Sequence, residues 1–272
     1  MKRFEWLGAA MLAAMVAVPV VGQDHGGHAP AEQDHGHVMG DMVEVPLRTH
    51  EGRLTVPVET DDGTTLEFIV STGNSVTVFS KSGEARVGDS QIFLAGLPIS
   101  TEGSQTVDDS SLTMDDGTVI DGILGARFFT QFDVLVDAPS GRLVLRKPGR
   151  AVEWDGVTLS EPVRIRLLHG AIITFNVELN GHTYPAMLDT GAASVVVNER
   201  VKTEASLDDE GMATLKVGGT TLTERRTVVR DLPLFESFSP NGDGFVLVGA
   251  PLALDCVISI SYVRQQLRTC VR

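Results

Sequence analysis

The sequence predicts an all-β chain organised as two tandem lobes, and two observations carry that prediction. From residue 42 onward the apolar runs are short, rich in β-branched side chains and bounded by Gly, Asp and Ser, as in LTVPVE, TTLEFIVS and SVVVN. Such runs suit a pleated, half-buried backbone rather than a helix. The second observation is an internal duplication. FIVSTGNSVTVFS (68–80) aligns without a gap on AMLDTGAASVVVN (186–198), and IDGILGARFFTQFDVLVDAPSGRLVL (120–145) aligns on FVLVGAPLALDCVISISYVRQQLRTC (245–270).

In chain order, residues 1–22 read as an export signal: Lys2 and Arg3 form a basic head, Trp6 to Val21 an apolar run, and Gly22 a small residue for cleavage. The run falls short of the roughly 20 apolar residues of a membrane span, and an uncleaved anchor is the competing reading. Residues 23–41 are His-, Gly- and Asp-rich with almost no apolar content, which predicts a disordered tail. His25, His28, His35 and His37 would hold a transition metal only loosely, and no metal site is assigned to them. Residues 42–146 form the first lobe, with a short helix expected over 126–132 and a strand-turn-strand in FDVLVDAPSGRLVLR. A polar linker follows at 147–158, and 159–272 form the second lobe, with a slightly shorter helix in that copy.

The 272 residues suffice for two modest cores, and the net charge of −14 argues against nucleic acid and anionic membrane surfaces as partners. Cys256 and Cys270 flank the hairpin VISISYVRQQLRT and would face each other across it. A bridge there stabilises by about 3 kcal/mol in the chain-entropy model. A metal pair or a catalytic thiol is the alternative, and no His neighbours either Cys in sequence. A disulfide fits an exported protein, periplasmic or secreted.

One loop carries reactive chemistry. MLDTGAAS sets Asp189 at the end of an apolar strand, followed by Thr190 and Gly191. Gly191 permits a sharp turn and close backbone approach, and Thr190 can lock the loop through its hydroxyl. The first copy has Ser71, Thr72 and Gly73 at the matching positions. An apolar-apolar-Gly segment follows each loop, Ile123–Gly125 and Leu247–Gly249. SPNGDG (239–244) hints at a calcium loop, but Ser239 and Ala250 stand where two important ligands belong, so it reads as an exposed turn.

On these residues the chain resembles the retropepsin-like and pepsin-like aspartic proteases, especially exported bacterial members with tandem lobes. The resemblance covers roughly residues 50–272 and rests on DTGA at 189–192, the two apolar-apolar-Gly segments and FDVLVD with its turn. It implies two retropepsin-like β-barrel lobes in a bilobal, pepsin-like architecture, with a peptide cleft between them and no cofactor. In that family each lobe gives one Asp, and the two carboxylates share a proton around a water. Here Ser71 stands where the first acid belongs. A hydroxyl cannot serve as a carboxylate, and losing one acid-base partner forfeits about 10²–10⁴ in rate. Without a like-charged neighbour, Asp189 is expected to stay ionised at neutral pH. Ala192 resembles the retroviral loop and offers the acid one hydrogen bond fewer than Ser would.

The resemblance therefore implies an aspartic-type endopeptidase acting on peptides through Asp189. It leaves open a pseudoprotease that binds a peptide or protein partner in the cleft without cutting it. A homodimer pairing Asp189 with its counterpart across a twofold axis would complete the chemistry, though the tethered first lobe competes for that position. A metal-scavenging role for the His-rich tail is a third reading.

Overall fold

The computed structural model describes residues 41–148, 154, 156–239 and 241–271. The expected signal (1–22), nearly all of the His-rich tail and part of the linker lie outside the described residues. The first lobe's strands are β1 (Met42–Pro46), β2 (Arg48–His50), β3 (Arg53–Thr60), β4 (Thr65–Val70), β5 (Val78–Ser80), β6 (Ile92–Leu94), β7 (Leu97–Ile99), β8 (Gln105–Val107), β9 (Gly122–Leu124), β10 (Asp133–Asp137) and β11 (Arg142–Arg146). The second lobe has β12 (Val163–Arg164), β13 (Arg166–Leu168), β14 (Ile172–Leu179), β15 (His182–Leu188), β16 (Val195–Val197), β17 (Met212–Val217), β18 (Thr220–Val229), β19 (Val246–Val248), β20 (Ile258–Ser261) and β21 (Gln266–Thr269).

The fold is all-β and bilobal, and the duplication is written into its hydrogen bonding. β4 lies parallel to β9 with Phe68 opposite Gly122, and β15 lies parallel to β19 with Ala186 opposite Val246. β5 runs antiparallel to β9 with Val78 opposite Ile123, and β16 runs antiparallel to β19 with Val196 opposite Leu247. Each lobe then adds a parallel neighbour, β8 beside β5 and β18 beside β16. In the second lobe β17 pairs with both β18 and β14, which closes the sheet on itself. The first lobe divides the equivalent of β18 into β7 and β8, interrupted by residues 100–104.

The lobes share a six-stranded sheet of order β1-β11-β10-β20-β21-β12. Its central pair, β10 and β20, is antiparallel with Leu135 opposite Ser259, so the last hairpins of the two copies join edge to edge. Strand alternation assigns the faces. Leu66, Phe68 and Val70 of β4, and Tyr184, Ala186 and Leu188 of β15, enter the main core. Ile69 and Met187 face the other way, into smaller clusters, that of Met187 also taking in Ala126 of the first lobe. Two residues on from each, Ser71 and Asp189 leave the sheet on that same side.

Among the described residues five short α-helices decorate the lobes: α1 (Lys81–Val87), α2 (Ala126–Phe129), α3 (Glu199–Glu204), α4 (Pro233–Phe238) and α5 (Pro251–Asp255). Equivalent residues cap α1 and α3. The Ser80 hydroxyl accepts from Gly83 N at 2.9 Å, and Asn198 Oδ1 accepts from Val201 N at 3.1 Å. The helix expected over 126–132 stops at Phe129, and Thr130 Oγ1 donates back to Arg127 O at 2.7 Å in the turn that follows. Its counterpart is not the shorter one: α5 has five residues against four, entered through Pro251. The linker is also less polar than its composition implies. Trp154 is buried, donates from Nε1 to Ser259 Oγ at 2.8 Å, and stacks under the Arg146 guanidinium at 4.2 Å. Cys256 and Cys270 form the expected disulfide, with Cα atoms 5.5 Å apart, just outside the β20–β21 hairpin.

Candidate functional site

Ser71 and Asp189 meet where the lobes join. Each loop is anchored alike as it leaves its strand: Ser71 N donates to Leu124 O at 3.0 Å, and Asp189 N donates to Val248 O at 2.9 Å. The glycines that end the two apolar-apolar-Gly segments have a steric reason. A Cβ at Gly125 would fall 2.2 Å from Val76 O, and one at Gly249 would fall 2.2 Å from Ser194 O. The strand after each reactive loop crosses the loop backbone there, and only hydrogen fits.

The threonines lock the lobes together. Thr72 Oγ1 donates to Leu188 O at 2.8 Å, and Thr190 Oγ1 donates to Val70 O at 2.8 Å. Each hydroxyl also accepts from the other threonine's backbone, Thr190 N to Thr72 Oγ1 and Thr72 N to Thr190 Oγ1, both at 3.2 Å. All four contacts are buried and cross between lobes, so each loop is held by the lobe that does not contain it. Thr72 thus keeps a structural task even though the acid before it is gone.

Between these threonines sits the dyad. Ser71 Oγ donates to Asp189 Oδ1 at 2.8 Å, and Gly191 N donates to the same oxygen at 2.9 Å. Ser71 Oγ is offered three donors of its own: Gly73 N at 3.2 Å, Asn74 N at 3.1 Å and Asn74 Nδ2 at 3.0 Å. A serine oxygen has only two lone pairs. The donor set around position 71 matches a carboxylate oxygen better than a hydroxyl. The glycines supply room: a Cβ at Gly73 would fall 2.3 Å from Asp189 Cγ, and one at Gly191 would fall 2.9 Å from Ser71 Cβ.

Burial pushes the Asp189 carboxyl above its ordinary value. Hydrogen bonds from Ser71, Gly191 and Gly73, and the positive charge of Arg53, pull the other way without cancelling it. The sequence reading counted the missing like charge and left desolvation out. Asp189 is 1% exposed, and its burial is the larger effect.

Sequence reasoning missed the residues beside the dyad. β2 and β3 are joined by a tight turn with Glu51 and Gly52 at φ 47° and 75°. A Cβ at Gly52 would come 3.7 Å from Ala193 Cβ in the Asp189 loop of the other lobe. The turn is pinned to residues 113–119 of its own lobe. Glu51 accepts from Asp115 N at 2.8 Å and Asp116 N at 3.0 Å, and His50 Nε2 lies 3.1 Å from Asp116 Oδ2. The ligand atoms of His50, Glu51 and Asp116 lie within 4.8 Å of one another, but both Glu51 oxygens already hold backbone N–H groups. They act as a latch. The signal was available in principle, since Glu-Gly between two alternating segments is a hairpin pattern. Of SPNGDG, residues 241–243 are exposed as expected, with a positive φ at Gly242 and with Asp243 O accepting from Asn198 Nδ2 at 2.9 Å, while Pro240 lies outside the described residues.

A family model described as aspartyl protease matches residues 175–236, which run from within β14 through the Asp189 loop into α4. No curated protein matches the chain. Among the described residues no helix is long and apolar enough to cross a membrane.

Proposed function

We propose that the chain, whose second lobe matches a family model described as aspartyl protease over residues 175–236, binds peptides in the interlobe cleft and that its hydrolytic power is impaired by the missing acid. The observation that carries this reading is the 2.8 Å hydrogen bond from Ser71 Oγ to Asp189 Oδ1 within one chain. A two-acid site needs one ionised carboxylate to take a proton from water and one protonated carboxyl to give a proton to the scissile carbonyl. Here the only carboxyl of the pair is Asp189. The Ser71 hydroxyl holds and orients it but has no readily released proton, which costs about 10²–10⁴ in rate. The threonine lock and the glycine clearances still build the architecture in which such sites hold an extended peptide.

A second reading, slow endopeptidase action through Asp189, is favoured by one observation: burial raises that carboxyl, so it retains a proton further towards neutral pH. Pairing of Asp189 with its counterpart in a second chain is disfavoured, because Asp189 and both threonines are engaged inside one chain. The Cys256–Cys270 bridge supports an oxidising compartment, hence export.

The test is to measure, on the same preparation, binding of an unfolded protein substrate and its cleavage from acid to neutral pH. A statine-type aspartic-protease inhibitor serves as competitor. Saturable binding displaced by the inhibitor, with little or no cleavage, is the expected result. Rapid cleavage abolished by Asp189→Asn would replace this reading with the endopeptidase, and absence of binding would remove both.

A further inference from the structure

Arg53 opens β3 immediately after the Glu51–Gly52 turn that abuts the Asp189 loop. Its guanidinium carries five N–H donors and a permanent charge. Among the described residues its one hydrogen-bond partner is a thioether, Met114 Sδ, 2.9 Å from Nη1, and it has no ion pair. A thioether is a weak acceptor, so a half-buried cation is left with most of its donors uncommitted in a chain of net charge −14. Every other conspicuous acid near this turn is occupied. Glu51 is spent on Asp115 N and Asp116 N, and Asp116 on His50. The Gly52 turn lies against Ala193 of the Asp189 loop, and Met114 clusters with Ile69, two residues before Ser71, so Arg53 stands on the side of the lobe that carries the dyad; its charge also pulls the Asp189 carboxyl down.

We propose that Arg53 is the anion-reading residue of the interlobe cleft, recognising a carboxylate on the bound peptide through charge-assisted hydrogen bonds. The inference rests on the peptide-binding reading above and deepens it by naming a ligand class. The carboxylate has two sources, the peptide's own C-terminus or an internal acidic side chain, and Arg53 accepts the same planar group from either. Met114 serves as a placeholder that the ligand displaces.

The experiment uses the full mature chain and four synthetic hexapeptides of one Leu- and Phe-rich sequence, all acetylated at the N-terminus. One has a free C-terminal carboxylate and one a C-terminal amide. The other two are amides carrying a single internal Glu or Gln. Calorimetric affinities are measured for the native protein and for Arg53→Gln, Arg53→Lys and Met114→Leu, with circular dichroism confirming that each variant is folded. The free acid, the Glu peptide or both should bind about 10–100-fold tighter than their neutral partners. Which pair shows the gap identifies the source. Arg53→Gln should erase the gap. Arg53→Lys should keep part of it, and Met114→Leu should preserve it. Equal affinity for all four peptides, or a gap that survives Arg53→Gln, overturns the role of Arg53 while the peptide-binding reading stands. If the native protein binds none of the four and no unfolded protein either, the peptide-binding reading falls and this inference with it.

Discussion

Thr72→Val tests the threonine lock without changing side-chain volume. The substitution deletes the hydroxyl that donates to Leu188 O at 2.8 Å and accepts from Thr190 N at 3.2 Å. Both partners belong to the other lobe and lie in a region where Thr190 and Leu188 are fully buried. Each backbone group left unpaired costs about 1–3 kcal/mol. The longer of the two contacts is the weaker, so the expected loss is about 2–4 kcal/mol. For a folded unit of this size that corresponds to a fall in Tm of roughly 5–15 °C. Urea unfolding and calorimetry read both quantities. Thr55→Val is the matched control, because the Thr55 hydroxyl is buried with no hydrogen-bond partner among the described residues. Deleting it should leave stability unchanged or raise it by about 1 kcal/mol. A Thr72→Val loss no larger than about 0.5 kcal/mol, the scale of an ordinary surface change, would refute the claim that these hydroxyls join the lobes.

Three further outcomes follow from the same geometry. Because burial raises the Asp189 carboxyl above its ordinary value of 3.8, the folded chain keeps a proton that the unfolded chain has lost. Stability from this group is therefore fully present below that value and is lost as pH rises through the folded value. The amide in Asp189→Asn does not titrate, so the native protein should lose ground to the variant from acid to neutral pH; a difference flat with pH would contradict the burial effect. Reducing the Cys256–Cys270 bridge, or replacing both residues by Ser, should cost about 3 kcal/mol, and equal melting with and without reductant would argue against it. Gly249→Ala would drive a methyl to 2.2 Å from Ser194 O and 2.4 Å from Ala192 O. It should cost about 1–3 kcal/mol or more and weaken peptide binding through displacement of the Asp189 loop; a variant with native melting and affinity would show that the crossing is looser than described.

The duplicated framework was legible because its chemistry is local. A β-branched strand, a small polar turn and a second strand recur in order, and the structure repeats them with matching pairs such as Phe68 with Gly122 and Ala186 with Val246. The reactive loops were legible because Thr72, Gly73, Thr190 and Gly191 stand next to the dyad positions in sequence, although the contacts they make cross between the lobes. What escaped was set by contacts distant in sequence. Trp154 sits in a polar stretch, and its burial depends on Ser259 and Arg146. Helices α1 and α3 are short and owe their starts to single caps, Ser80 and Asn198, in segments with little helical periodicity. Arg53 carries no motif of its own, and only the fold brings its turn against Ala193. The upward push on the Asp189 carboxyl escaped as well, because desolvation belongs to the assembled interface and leaves no trace in DTG itself.

Hydrolysis at this site is limited by the second carboxylate. Position 71 already holds three N–H donors around one oxygen, and Gly191 leaves the space beside it that Gly73 leaves beside Asp189. Ser71→Asp should therefore fit its loop and complete a two-acid site. Initial rates of unfolded-protein cleavage at acid pH, compared between the native protein and Ser71→Asp, measure this directly. A rise of about 10²–10⁴ that vanishes when Asp189→Asn is added is the predicted result. A folded Ser71→Asp variant no faster than the native protein would contradict the claim that one missing carboxylate limits this site.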